Sequence, residues 1–256
     1  MYFFLINLSC IDLLLTSAIT PKLLSLLMNG SRGISYVGCL VQCYSFFFLG
    51  STHILILAVM SFDRYMAICN PLRYTAVLSP TFCLYLALGA WACAFLDTIA
   101  PTVQVVCLTF CSLGIDHFFC DVEQLLEIAC TDTQHVRLLN FMVSAVIVFG
   151  SLILIIASYL NIIIAIIKIP SSGGRRKTFA TCSSHLLVVF IYFVGTVFMS
   201  LRTIKNSSID FDKLATILNS IITPFLNPFI YTLRNQEVKH AVKSFFKCGV
   251  NFSNKV

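Results

Sequence analysis

Six long runs of apolar residues, separated by shorter polar stretches, dominate the sequence. Each run has about the twenty residues that a helix needs to cross the hydrocarbon core of a bilayer. Because lipid offers no hydrogen-bond partners to the backbone, such runs predict spanning helices rather than the short alternating strands of an outer-membrane barrel. The predicted spans are residues 1–27, 36–61, 81–102, 138–167, 178–201 and 214–233.

A different pattern follows the last run, where apolar residues recur at steps of three and four with lysines between them. This spacing predicts a short amphipathic helix, at about residues 236–247, that lies on the inner leaflet.

The composition supports a membrane protein and excludes most soluble classes. Hydrophobic residues make up 58% of the chain and charged residues 11%, against roughly a quarter charged in an average soluble domain. The mean hydropathy is +0.91. The sequence has neither a glycine-rich phosphate loop nor a metalloprotease pattern, so we expect no enzymatic activity and no cofactor. His117 and Asp121 flank Cys120, but we expect no metal site there.

Basic residues set the predicted orientation. Eleven lie in residues 62–80, in residues 168–177 and after the last run, against five on the other side. An excess of lysine and arginine marks the cytoplasmic side, so the acidic loop 103–136 is predicted to lie outside. That loop holds four cysteines, which suggests disulfides formed in an oxidising compartment, although spacing leaves three connectivities open for any four cysteines. The four are Cys107, Cys111, Cys120 and Cys130.

Several segments together resemble one family. They are MYFFLINLS at residues 1–9, MSFDRYMAICNPLRY at 60–74, Ser158 with Tyr159, KTFATCSSHL at 177–186 and PFLNPFIY at 224–231. These motifs are similar to those of odorant receptors, which are rhodopsin-like G-protein-coupled receptors. The resemblance implies an all-α membrane protein with a rhodopsin-like helical bundle. The six runs would be the family's second to seventh helices, within a single receptor domain over residues 1–256.

The match begins at the family's second helix. We therefore expect the outer amino terminus, its glycosylation site and the first helix to be missing. We therefore expect both ends inside, poor folding, retention in the endoplasmic reticulum and weak signalling. The alternatives are a relic that does not signal or, less well supported, a transporter or channel. Glycosylation sequons on the outer side begin at Asn29 and Asn206.

The resemblance assigns a switch at the inner ends of the helices. Arg64 would leave a resting pair with Asp63 and meet a G-protein helix, since a guanidinium offers five fixed donors and stays charged. Proline within the last span removes a helical hydrogen bond and makes a hinge. The residues implied in coupling are Asp63, Arg64, Tyr65, Tyr159, Lys177, Asn227, Pro228 and Tyr231.

A carboxylate in the middle of the first run needs a partner or a proton, because an isolated buried charge is costly. In related receptors this aspartate, here Asp12, helps to bind sodium close to the asparagine at Asn227. Where odorant receptors commonly have a glutamate, this chain has His53. We therefore predict an Asp12–His53 pair rather than a sodium site.

The family pattern also implies the covalent and ligand contacts. It pairs Cys39 with Cys120 and Cys111 with Cys130. It places the ligand between the outer halves of the second, fourth, fifth and sixth runs. These positions are apolar and aromatic with a few hydroxyls and no buried charge, which suits a small, volatile, largely uncharged ligand and not a biogenic amine. The predicted lining residues are Cys43, Phe46, Phe47, Gly50, Ser51, Val143, Ser144, Ile147, Phe193, Thr196, Met199, Ser200, Ile217 and Ser220.

The resemblance therefore implies an odorant receptor in the cell membrane. It would bind a small volatile odorant and activate the olfactory stimulatory type of heterotrimeric G protein, which raises cAMP. No nucleic-acid partner is expected.

Overall fold

The computed structural model describes residues 1–29, 33–112, 114, 119–202 and 216–234, without side chains at 29, 177, 180, 181, 198–202, 218, 219 and 231–234. The surface helix predicted at 236–247, the sequon at Asn206 and the side chain of His117 lie outside this part of the chain. The helices are α1 (Tyr2–Asn29), α2 (Tyr36–Cys69), α3 (Pro71–Val77), α4 (Pro80–Val106), α5 (Val122–Glu127), α6 (Gln134–Ile167), α7 (Ser172–Arg202) and α8 (Thr223–Arg234), the last preceded by a π-helical turn at Leu218–Ile222.

The predicted apolar runs fall on these helices. Four of them, α1, α2, α4 and α6, are long and apolar enough to cross a membrane. The fifth and sixth runs correspond to α7 and α8, whose described apolar stretches are shorter, at Cys182–Val197 and Ser220–Ile230. Six crossings therefore remain a prediction, while four are supported by length and composition.

Local sequence explains where α2 and α4 begin and end. The hydroxyl of Ser35 accepts a hydrogen bond from the Gly38 amide at 3.1 Å and caps α2. Ser79 caps α4 in the same way at Phe82, over 3.3 Å. The second run was predicted to end at residue 61, but α2 continues to Cys69. It stops before a proline, which disfavours helical geometry in the preceding residue, and that proline starts α3 within the predicted loop 62–80.

α2 lies at the centre of the bundle, in contact with α1, α4, α6 and α7. Its side chains at Ile56 and Leu57 are fully buried. Polar contacts add to this packing, since the Trp91 indole on α4 donates to the Asn7 amide oxygen on α1 over 3.3 Å. α2 is therefore surrounded by other helices of the bundle.

The outer face of the bundle is apolar as well. On α6 the exposed residues Val146, Ile153, Leu160 and Ile167 recur every seven positions, which places them along one side of the helix. A continuous apolar stripe exposed on a spanning helix faces lipid in a membrane protein. The α6 sequence is therefore hydrophobic on nearly all sides, as expected for a span.

Candidate functional site

Two cysteine pairs constrain the outer loop. The structure joins Cys39 to Cys120 with a Cα–Cα distance of 5.3 Å, and Cys111 to Cys130 with 5.2 Å. These are the pairs that the family resemblance implies. The first holds the loop to the outer start of α2, and the second joins two loop segments that also share backbone hydrogen bonds. The loop therefore covers the outer end of the helices.

Beneath this loop lies a cavity of about 180 Å³ between α2, α4, α6 and α7, and the start of α5 contributes to its lining. Much of its lining was predicted from the sequence. The predicted residues that line it are Phe46, Phe47, Gly50, Ser51, Val143, Ser144, Ile147 and Thr196.

Other predicted ligand contacts lie elsewhere. Cys43 and Phe193 are buried in helix packing and do not line the cavity. Ile217 and Ser220 also lie away from it, and the Ser220 hydroxyl donates to the Thr216 carbonyl one turn earlier in the chain. The side chains of Met199 and Ser200 lie outside what the structure describes. The cavity is displaced toward α4, which the prediction did not include among its walls.

The α4 wall makes the cavity more polar than predicted. Asp97 lines it, and one carboxylate oxygen accepts a hydrogen bond from the Ser51 hydroxyl at 3.1 Å. Near the outer end, Glu123 and Arg137 line the same cavity as an ion pair. The predicted lining residues are uncharged, but this cavity is also lined by the partly buried side chains of Asp97, Glu123 and Arg137. One sequence signal could have found Asp97, because it is the only acidic residue in the predicted span 81–102.

Tyr192 on α7 separates the cavity from the centre of the bundle. It lines the cavity and donates its hydroxyl to the Gly50 carbonyl over 3.2 Å. Its ring stacks on the His53 imidazole, with ring centres 4.0 Å apart and planes 10° from parallel. A side chain added at Gly50 would approach the tyrosine hydroxyl at 3.4 Å. The absence of one allows α2 and α7 to come this close.

Below Tyr192, three polar side chains meet where α1, α2 and α8 approach. The Asn227 amide donates to one oxygen of Asp12 at 2.8 Å, and its nitrogen lies 3.5 Å from His53 Nε2. The other oxygen of Asp12 lies 3.3 Å from the same imidazole nitrogen, an ion-pair distance that lacks hydrogen-bond alignment. Asp12 and His53, which were predicted to pair, therefore lie side by side, and Asn227 is the third member of this polar cluster.

At the inner end, Asp63 has partners other than the expected Arg64. Its carboxylate accepts from the Tyr74 hydroxyl at 3.0 Å and lies 3.2 Å from the amino group of Met1. The ion pairs among the described residues do not include Asp63 with Arg64. Burial, followed by the nearby Asp63 charge, raises the pKa of Tyr74 to about 12. Tyr74 is therefore a neutral hydrogen-bond donor to Asp63 at physiological pH.

A second inner contact joins α6 to α7. The Tyr159 hydroxyl lies 2.7 Å from His185 Nδ1, and both side chains are buried. His185 was not among the predicted switch residues, although it belongs to the same sequence motif as Cys182. Of the remaining predicted switch residues, Tyr65 packs near Phe62 and Pro228 lies within α8. The side chains of Lys177 and Tyr231 lie beyond the described part.

Comparison with known proteins gives a consistent result over nearly the whole chain. The family model described as "Olfactory receptor" matches residues 1–248. Olfactory receptor 6S1 of Homo sapiens is 44% identical over 249 residues, which is 96% of this chain and 75% of that protein. Olfactory receptor 287 of Rattus norvegicus is 47% identical over 248 residues, which is 96% of this chain and 80% of that protein.

Proposed function

We propose that this chain, which belongs to the olfactory receptor family, binds a small odorant in its outer cavity and activates a stimulatory heterotrimeric G protein. The chain is a multi-pass membrane protein of a receptor family that is not enzymatic. Odorants and G proteins are the partners of this family in general. The stimulatory G protein, the rise in cAMP and the count of six spans are parts of the proposal.

The observation that carries the proposal is the cavity of about 180 Å³ between the helices. For comparison, an engineered apolar protein cavity of ~150 Å³ holds benzene. The cavity here has aromatic walls at Phe46, Phe47 and Phe141, and about half of its lining residues carry a polar or charged group. Small-molecule sites are concave and mostly apolar with a small number of orienting polar groups. The volume of this cavity suits a ligand with one ring and a short substituent.

The inner end supplies the groups for a coupling step. Arg64 is near the inner end of α2, and its Nε is buried without a hydrogen-bond partner among the described residues. An arginine not bound to its neighbouring carboxylate has donors available for another acceptor. A helix carboxyl end offers such acceptors as unpaired carbonyls. We therefore assign Arg64 as the residue that meets the G protein.

A cAMP reporter assay with an odorant panel tests the proposal. The unmodified chain should give a dose-dependent response to at least one odorant. Arg64→Ala should abolish that response at equal surface level, and Arg64→Lys should give an intermediate one because it keeps the charge but loses the planar fork. A normal response of Arg64→Ala would contradict the assignment. Surface biotinylation in the same cells tests the expectation of retention in the endoplasmic reticulum.

A further inference from the structure

We propose that the cavity selects a protonated amine and that the Asp97 carboxylate is its counter-ion. This inference rests on the proposed function and adds the class of ligand. It reverses the sequence-based expectation of an uncharged ligand, because that expectation considered only a carboxylate on the second run.

Asp97 lies well inside the helix α4. It lies in α4, nine residues before Val106, which at 1.5 Å per residue is ~14 Å from the outer end of the helix. An ionisable side chain at that depth in a spanning helix is costly, and such residues commonly face a cavity and serve a function. Asp97 lines the cavity and is half-buried. Its charge is therefore directed to whatever occupies that space.

The hydrogen bonds of Asp97 use only part of the acceptor capacity of its carboxylate. One oxygen accepts from Ser51 at 3.1 Å, and the other has no partner among the described residues. An ionised carboxylate has about four acceptor sites, so a single hydroxyl satisfies a small part of its capacity. Ser51 fixes the orientation of the carboxylate, and the remaining acceptor sites need a donor. An ammonium group supplies three donors and the compensating charge.

The charge balance of the lining also favours a cation. The lining includes the carboxylates of Asp97 and Glu123 and the guanidinium of Arg137. That guanidinium is already paired with Glu123. None of the ion pairs among the described residues includes Asp97. Glu123 is therefore compensated by Arg137, whereas a cationic ligand would compensate Asp97 and an anionic ligand would be repelled by it.

The remaining walls limit the rest of the ligand. Phe46, Phe47 and Phe141 contribute aromatic surface, and Ile147 and Val148 contribute aliphatic surface. A ring that bears an aminomethyl group matches both parts, with the ring against these walls and the ammonium against Asp97. Benzylamine is such a compound. Benzyl alcohol keeps the ring and a neutral donor, and ethylbenzene keeps only the apolar shape.

The test is the cAMP reporter assay with these three compounds on the full chain. Benzylamine should be the most potent and ethylbenzene the least. Asp97→Asn should weaken the benzylamine response about tenfold or more, because a charge-assisted hydrogen bond is lost, and should change the benzyl alcohol response much less. Asp97→Glu should retain a response to benzylamine. Ser51→Ala should weaken it without affecting ethylbenzene, and this variant serves if Asp97→Asn does not reach the surface.

Glu127→Gln is the matched control. Glu127 is an exposed acid on α5 that does not line the cavity, so its loss should leave all three responses unchanged. Equal weakening of all three compounds by Asp97→Asn at the same surface level would show that Asp97 is structural and would overturn the inference. If cells that respond to other odorants gave no cAMP response to benzylamine, the inference would also be overturned. The proposed receptor function would then still stand.

Discussion

Replacing Gln42 with leucine tests how the outer loop is held on the bundle. Gln42 is buried on α2, where its amide nitrogen donates to the Ala18 carbonyl of α1 at 3.1 Å. Its oxygen accepts from the backbone amide of Cys120 at 3.2 Å. One side chain therefore bonds α1 and the disulfide-linked loop to α2. Leucine has a similar size and can make neither bond.

The expected loss follows from the groups left behind. The buried Cys120 amide would lose its acceptor, which costs about 1–3 kcal/mol. The Ala18 carbonyl keeps its backbone hydrogen bond within α1. Losing the Gln42–Ala18 hydrogen bond should therefore cost about 0.5–1.5 kcal/mol, as for an ordinary hydrogen bond. The two losses together are about 1.5–4.5 kcal/mol, and at about 2–4 °C per kcal/mol for a chain of this size the melting temperature should fall by roughly 3–18 °C.

Thermal melting of the detergent-solubilised chain, followed by size-exclusion chromatography with fluorescence detection, measures this shift. Gln104→Leu is the control, because Gln104 is exposed on α4 and its replacement should change stability by less than about 0.5 kcal/mol. Equal melting temperatures for Gln42→Leu and the unmodified chain would refute the argument that this side chain holds the loop.

Two further predictions concern the polar contacts deeper in the bundle. Asn227→Ala should lower stability by about 1–3 kcal/mol, because Asp12 loses its amide donor; a melting curve like that of the unmodified chain would show that the bond contributes little. Tyr159→Phe keeps the ring but removes the hydroxyl beside His185. It should cost about 0.5–1.5 kcal/mol, measured by the same melting assay, and a stabilised variant would contradict the assigned contact.

The positions of the helices follow from the sequence more readily than their ends. Long apolar runs predict helices because lipid leaves the backbone no other way to satisfy its hydrogen bonds. The end of α2 was placed eight residues too early, since the segment up to Cys69 is more polar than a span. It stays helical because part of it, including Met66, is buried against the bundle. Hydrophobicity detects the membrane boundary, whereas helix length depends also on packing.

The cavity shows the same division between local and tertiary information. Phe46, Phe47, Gly50 and Ser51 were predicted together because they share one face of α2, and all four line the cavity. Which other helices complete the wall depends on how they pack around α2, and helical spacing contains no such information. For that reason α4, with Asp97, was missed.

Tyr192 lines the cavity and also stacks on His53, which belongs to the polar cluster with Asp12 and Asn227. It therefore connects the proposed ligand site to the inner half of the bundle. A ligand that displaces this ring would change its stacking on His53 and so the contacts of Asp12 and Asn227, the last of which belongs to the proline-containing α8. Contact alone does not make a switch, because coupling needs an element with two arrangements. One feature of the polar cluster bears on this requirement for two arrangements. His53 Nδ1 and the Asn227 side-chain oxygen are buried without hydrogen-bond partners among the described residues. This arrangement leaves hydrogen-bonding capacity unused where α2 and α8 meet.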